Sequence, residues 1–214
     1  MSTPRVTAAF ADVLTFADPT DAAPAEGRET PRERALIDAA RAGNQDAFGD
    51  LVTLHQRAVF RTALAALGRR EDAEDVTQEA FVVAWTKLPG FRREATFKTW
   101  LLTITWRKAL DRRRVRQRWW SRTVAPLETD LTDPLDDVAD RGADPEQQTV
   151  DRDAMRRMHA AIALLSPKLR DTLVLAASGE HSYSEIAGIL GIPVGTVKWR
   201  VVEARRLLGS QREY

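Results

Sequence analysis

Three groups of residues in this 214-residue chain have the types and spacing to do chemistry. Glu71, Asp72, Glu74 and Asp75 crowd into REDAEDV, and carboxylates so close would suit a magnesium ion and a nuclease or recombinase reaction. On a helix, however, these acids scatter around the axis instead of converging. His55, His159 and His181 show no ligand spacing, and the absence of cysteine removes disulfides and thiolate metal or redox chemistry. The acids suit the positive end of a helix dipole instead, and no cofactor is expected.

The second group mixes aromatic rings with cations. Phe97, Trp100, Trp106, Trp119 and Trp120 are interleaved with Lys98, Arg107, Lys108, Arg112, Arg113 and Arg114, a run that ends DRRRVRQRWW. Cations hold a nucleic-acid backbone while rings stack on exposed bases, so the run suits single-stranded or locally opened nucleic acid. Some rings must be core, and Trp106 and Trp85 are the ones expected there. From Arg92 to Arg122 there are eleven Lys or Arg against Glu94 and Asp111, whereas from Thr123 to Asp153 ten Asp or Glu face Arg141 and Arg152. A formal charge of only +1 therefore hides a basic block beside an acidic one.

The third group lies near the C-terminus. A short helix, a turn on Leu190-Gly191-Ile192-Pro193 and a longer helix with Val197, Val201, Ala204 and Leu208 on one stripe make a helix-turn-helix pattern. At 100 degrees per residue, Thr196, Trp199, Glu203 and Arg206 fall opposite that stripe, Lys198 and Arg205 on one flank and Arg200 on the other. Such a face can meet base edges between phosphate-binding cations. A stand-alone repressor would use the same pattern but would leave the aromatic and basic first half unexplained. Trp199 suits either DNA or a protein partner.

Helices must carry all three groups. Residues 1–30 have little periodicity and read as a flexible tail. Phe48, Leu51, Val52, His55, Val59, Ala63 and Leu67 keep helical spacing up to Gly68. A second helix starts in REDAEDV and runs to Pro89-Gly90, and a third starts near Phe97 and continues through the arginines. Residues 122–152, with Pro126, Pro134, Gly142 and Pro145, read as a flexible acidic linker. Beyond it, Met155, Met158, Ile162 and Leu165 form a stripe, Ser166-Pro167 opens a helix, and Ser182 with Glu185 makes a capping box. The expected fold is all-α, with small helical domains at 31–121 and 153–214. Neither a secretory leader nor an apolar run of membrane-spanning length is evident, and the expected location is the cytoplasm.

AEDVTQEAF, FKTWL and YSEIAGILGIPVGTVK carry a resemblance. Residues from about 45 to 118 resemble region 2, and from about 154 to 209 region 4, of a sigma-70-family initiation factor, in the two-domain layout of the extracytoplasmic-function (ECF) group. The resemblance implies a protein that binds core RNA polymerase through its β′ clamp helices and β flap, recognises minus-10 and minus-35 promoter elements, assists opening, and is restrained by an anti-sigma factor. It implies clamp contacts from Asp72, Asp75, Val76, Gln78 and Glu79. Phe91, Arg92, Arg93, Thr96, Phe97, Lys98 and Trp100 would capture a flipped minus-10 base, with Arg107, Arg112, Arg113 and Arg114 on phosphates. Thr196, Lys198, Trp199, Arg200 and Arg205 would read the minus-35 duplex, and the linker would pass near nascent RNA. Family members often have a small residue where Trp199 stands.

Overall fold

The computed structural model describes residues 29–122, 158 and 160–210, with only the helical backbone given for 117 and 119–122. The expected N-terminal tail and acidic linker, apart from their edges, lie outside the described residues, as do the side chains of Trp119 and Trp120. All regular structure among the described residues is helical. The chain divides into two compact units.

The first unit holds α1 (Pro31–Arg41), α2 (Gln45–Leu67), α3 (Arg70–Lys87) and α4 (Phe97–Arg122). Thr30 starts α1, its hydroxyl accepting from Glu33 N at 3.1 Å with Pro31 at the first helical position. Asn44 does the same for α2 through Ala47 N at 3.1 Å, and Gly68 closes α2 in the left-handed conformation at φ 70°, as its position after the apolar stripe predicts. No side chain caps α3; Glu71 and Asp72 sit in its first turn, where the helix dipole favours negative charge. A 3-10 turn, Leu88–Gly90, ends it.

α2 packs against α1, α3 and α4, and α3 also packs on α4. Ile37, Leu51, Val59, Val76, Leu88, Leu101 and Leu102 are essentially inaccessible to solvent, and Trp106 is buried with them as expected. Trp85 is only half-buried and leans on Phe48, ring centroids 4.9 Å apart. Each large apolar side chain withdrawn from water contributes about 1.5–3 kcal/mol before entropy is counted, enough to hold four amphipathic helices in one arrangement.

The second unit holds a helical stretch at 160–164, α5 (Pro167–Ala177), the first part of α6 (Tyr183–Leu190) and α7 (Val194–Ser210). Leu165, Leu169, Leu173, Ala204 and Leu208 form its core, with Ala161, Ile162 and Leu207 against it. Ser166 occupies the N-cap of α5 without a side-chain bond to the helix; its carbonyl accepts from Leu169 N and Arg170 N. The capping box forms as expected: Glu185 N donates to Ser182 Oγ at 3.2 Å and Ser182 N to Glu185 Oε2 at 2.9 Å. Gly191 turns at φ 65°, and Ile192 N donates back to Ala187 O, so the chain leaves α6 sharply and enters α7 after Pro193.

Candidate nucleic-acid and protein interfaces

In the first unit, Thr96 opens α4, its hydroxyl accepting from Thr99 N at 3.1 Å, while Phe97 N donates to Glu29 Oε1 at 2.8 Å. Four rings meet beneath this helix start. Phe91 lies edge-on to Phe97 at 5.9 Å, Trp100 tilts against Phe91 at 4.9 Å and Phe97 at 5.7 Å, and His55 approaches Phe97 to 5.4 Å. Phe97 is 0% and Phe91 4% exposed. Both rings are thus core, which corrects their placement among the base-contacting residues: a ring with no open face cannot stack on a base. They form a floor beneath half-exposed Trp100 and Thr96.

The loop before α4 is held by a strained residue. Arg93 stands at φ 58°, a left-handed conformation costing a non-glycine residue about 1–2 kcal/mol, and its guanidinium binds Asp38 of α1 at 2.7 Å. Arg92 beside it is exposed.

Beneath the rings, His55 Nε2 lies 3.1 Å from Glu33 Oε1, both side chains largely buried. Burial, then the Lys98 charge, lowers the His55 pKa to about 4, and burial raises that of Glu33. His55 is therefore neutral at pH 7, consistent with Nε2–H donating to the Glu33 carboxylate. This pair, 22 residues apart in sequence, gave no spacing signal.

The basic run divides by helix face. Lys108, Arg112 and Arg116 stand at i, i+4 and i+8 on α4, and Asp72, Asp75 and Glu79 at i, i+3 and i+7 on α3. Lys108 Nζ binds Glu79 Oε2 at 3.1 Å, and Arg116 Nη1 binds Asp72 Oδ2 at 3.1 Å. Arg112, between them, donates to Asp75 Oδ2 and reaches Asp72 Oδ1 and Glu79 Oε1, each at 3.4 Å. Arg112 therefore faces the acids of α3. The acids are correspondingly engaged by cations, and among the described residues no group of three or more His, Cys, Asp or Glu could hold a metal ion.

On α3, Val76 is 1% exposed and belongs to the core, which corrects its placement at a protein contact. Gln78 and Asp75 are exposed, and Val82, missed in the sequence, is 66% exposed on the same face. The i, i+4 spacing of Gln78 and Val82 was the available signal. Elsewhere on α4, Arg107 and Arg114 are exposed, Arg114 pairing with Asp111 at 3.1 Å, and Arg113 and Lys98 are half-buried.

In the second unit, Val197, Val201, Ala204 and Leu208 are buried as the stripe predicts. Lys198 and Trp199 are exposed, Trp199 at 62%, and Thr196, Arg200 and Arg205 are half-buried. Arg206 clasps Glu203 through two hydrogen bonds of 2.8 Å, which hold the Glu203 carboxyl below its ordinary pKa. Val202, 65% exposed, extends the outward face beyond the expected set.

Known proteins share both units. Residues 51–120 match the family model for sigma-70 region 2, and residues 155–208 that for sigma-70 region 4. The chain is 32% identical to the ECF RNA polymerase sigma factor SigW of Bacillus subtilis, over 79% of this chain and 90% of that protein. It is 34% identical to the RNA polymerase sigma factor CnrH of Cupriavidus metallidurans, over 83% and 93%. Among solved structures, CnrH in complex with the cytosolic domain of CnrY matches with a TM-score of 0.57 at 28% identity, covering 85% of this chain and 97% of that one. The sigma factor RpoE of Bartonella quintana, in complex with the anti-sigma factor NepR, matches at 0.55 and 26% identity, covering 78% and 96%.

Proposed function

The chain belongs to the sigma-70 family of RNA polymerase sigma factors, in its ECF group, and from that premise we propose how its residues direct polymerase to promoters. The carrying observation is that one chain joins an aromatic cluster rimmed by cations to a helix-turn-helix with an exposed, cation-flanked face. The first suits opened single strand and the second duplex, and a promoter-opening factor must bind both. The chain is thus an initiation factor, not an enzyme.

In this reading, residues 31–121 dock on the β′ clamp helices through the outward face of α3 and bind the minus-10 element. Arg92, Arg93, Thr96 and Lys98 surround the captured base, and Trp100, seated on Phe91 and Phe97, stacks at the bubble edge. Extruding a base costs a few kcal/mol, which stacking and phosphate contacts offset. Arg107, Arg113 and Arg114 hold phosphates. Residues 153–214 meet the β flap and read the minus-35 duplex through Thr196, Lys198, Trp199, Arg200 and Arg205. The acidic linker follows the path of nascent RNA in a basic channel. Anti-sigma control is proposed because RpoE is found in complex with the anti-sigma factor NepR, and CnrH with the cytosolic domain of CnrY. The site of action is the cytoplasm. No helix among the described residues is long and apolar enough to cross a membrane.

Run-off transcription with core polymerase tests the reading. New starts on a genomic promoter library appear only when the chain is added; unchanged initiation together with undetectable core binding would overturn it.

A further inference from the structure

The cations of α4 and the acids of α3 form an antiparallel ladder, and its bonding is uneven. Both oxygens of Asp72 are taken, by Arg112 and Arg116, and both of Glu79, by Arg112 and Lys108. Asp75 gives Arg112 one oxygen and remains 58% exposed. Arg116 also donates to Leu67 O at the end of α2, tying the ladder to a third helix. Two carboxylates are thereby consumed within the unit. The third stays available at the surface beside exposed Gln78 and Val82.

We propose that Lys108, Arg112 and Arg116 are positioning residues of the polymerase-docking surface: they fix α3 so that Asp75, Gln78 and Val82 face the partner, and take no part in gripping DNA. The inference rests on the docking role given to α3 above. Its physical basis is a contrast between lone and networked pairs. An isolated surface ion pair contributes little, because two long side chains must be ordered for one contact. Arg112 orders once and meets three carboxylates, and its flat guanidinium presents five donors where a lysine offers one point of charge. The network also sets which carboxylate oxygen is left to accept a donor from outside.

Three measurements on the full chain test this: core polymerase binding, holoenzyme binding to a fork-junction DNA across a salt series, and thermal melting as a check on folding. Arg112→Gln lowers core affinity by about fivefold, a loss of network coupling of about 1 kcal/mol. Holoenzyme assembled at saturating variant retains the wild-type salt dependence on DNA. A phosphate ligand would behave in the opposite way, leaving core affinity intact and flattening the slope of log K against log salt by about 0.7–0.9. Arg112→Lys keeps the charge and recovers only part of the affinity. In an Asp75→Asn background Arg112→Gln costs less core affinity than in the wild type, because part of its influence passes through that carboxylate.

Core affinity within twofold of wild type for folded Arg112→Gln, or a flattened salt slope, would overturn the inference. Additive losses in the double variant would do the same. Failure of the wild-type chain to bind core would overturn the docking role and the inference together, whereas wild-type binding with unaltered variants would overturn the inference alone.

Discussion

Trp100 rests on Phe91, their ring centroids 4.9 Å apart at 39°, with Phe91 buried and Trp100 half-exposed. The pair separates two duties that aromatic residues in one basic segment would otherwise share. Trp100→Ala removes the exposed ring and leaves the floor. Promoter opening falls about tenfold, within the range for one lost base stack, and a pre-melted template restores it. Phe91→Ala opens a hole in the core instead and costs about 3–5 kcal/mol in urea unfolding. Equal opening by Trp100→Ala and wild type on duplex template would remove the stacking role.

The His55–Glu33 pair makes stability depend on pH. The unfolded chain binds a proton at His55 near the ordinary value of 6.5, whereas the folded chain refuses it until about pH 4. The contribution is therefore complete above pH 6.5 and is lost as pH falls through that window, by about 3 kcal/mol at its lower end. Glu33 acts oppositely: its raised pKa costs stability at neutral pH and returns some of it on acidification. Through the histidine, urea midpoints fall between pH 6.5 and 5. A non-titrating His55→Gln flattens the profile, and an unchanged slope in that variant would assign the dependence elsewhere.

Helix positions were legible because their signals are local. Gly68 and Gly191 end apolar stripes and adopt left-handed angles, and Ser182 with Glu185 closes a capping box within four residues. Contacts between helices were not legible. Nothing in the spacing of Asp72 and Arg116 tells that α3 and α4 run antiparallel with these residues opposed, so charged side chains read as free surface are largely spent on one another. The resemblance placed Phe91 and Phe97 at a flipped base, whereas Phe97 packs over His55 and Phe91 against Phe97, and both rings are buried. Val202 went unread, since its apolar type gives no outward signal although its angle on α7 does.

Trp199 belongs to no core. Its large exposure predicts that Trp199→Ala shifts unfolding free energy by no more than about 0.5 kcal/mol, as for surface substitutions generally. Binding to a minus-35 duplex nonetheless weakens. Thermal melts and fluorescence titration on the same sample compare the two. Loss of stability in step with loss of binding would mean that the indole is buried in solution.

The start of α6 depends on a local lock. Ser182→Ala removes the acceptor for Glu185 N and costs about 1 kcal/mol, visible as a lower melting temperature of the second unit. The minus-10 single strand is still bound normally, because the residues proposed to hold it lie in the first unit. Weakened binding of both elements would argue against this separation.

Val76 and Gln78, two residues apart on α3, distinguish core from contact. Both belong to the stretch expected to meet polymerase, yet Val76 is 1% exposed and Gln78 is open to solvent. Val76→Ala strips methyl groups from a packed interior and leaves a cavity. It lowers unfolding free energy by about 2 kcal/mol, and any fall in core binding tracks the unfolded fraction and recovers on cooling toward the stability maximum. Gln78→Ala changes stability by less than about 0.5 kcal/mol. Its core affinity falls at every temperature, because a surface donor and acceptor are lost from the docking face. Measuring core affinity across temperature beside melting curves separates the two. A Val76→Ala protein that is fully folded yet deficient in binding would return Val76 to the contact surface and require α3 to rotate from the orientation its ladder imposes.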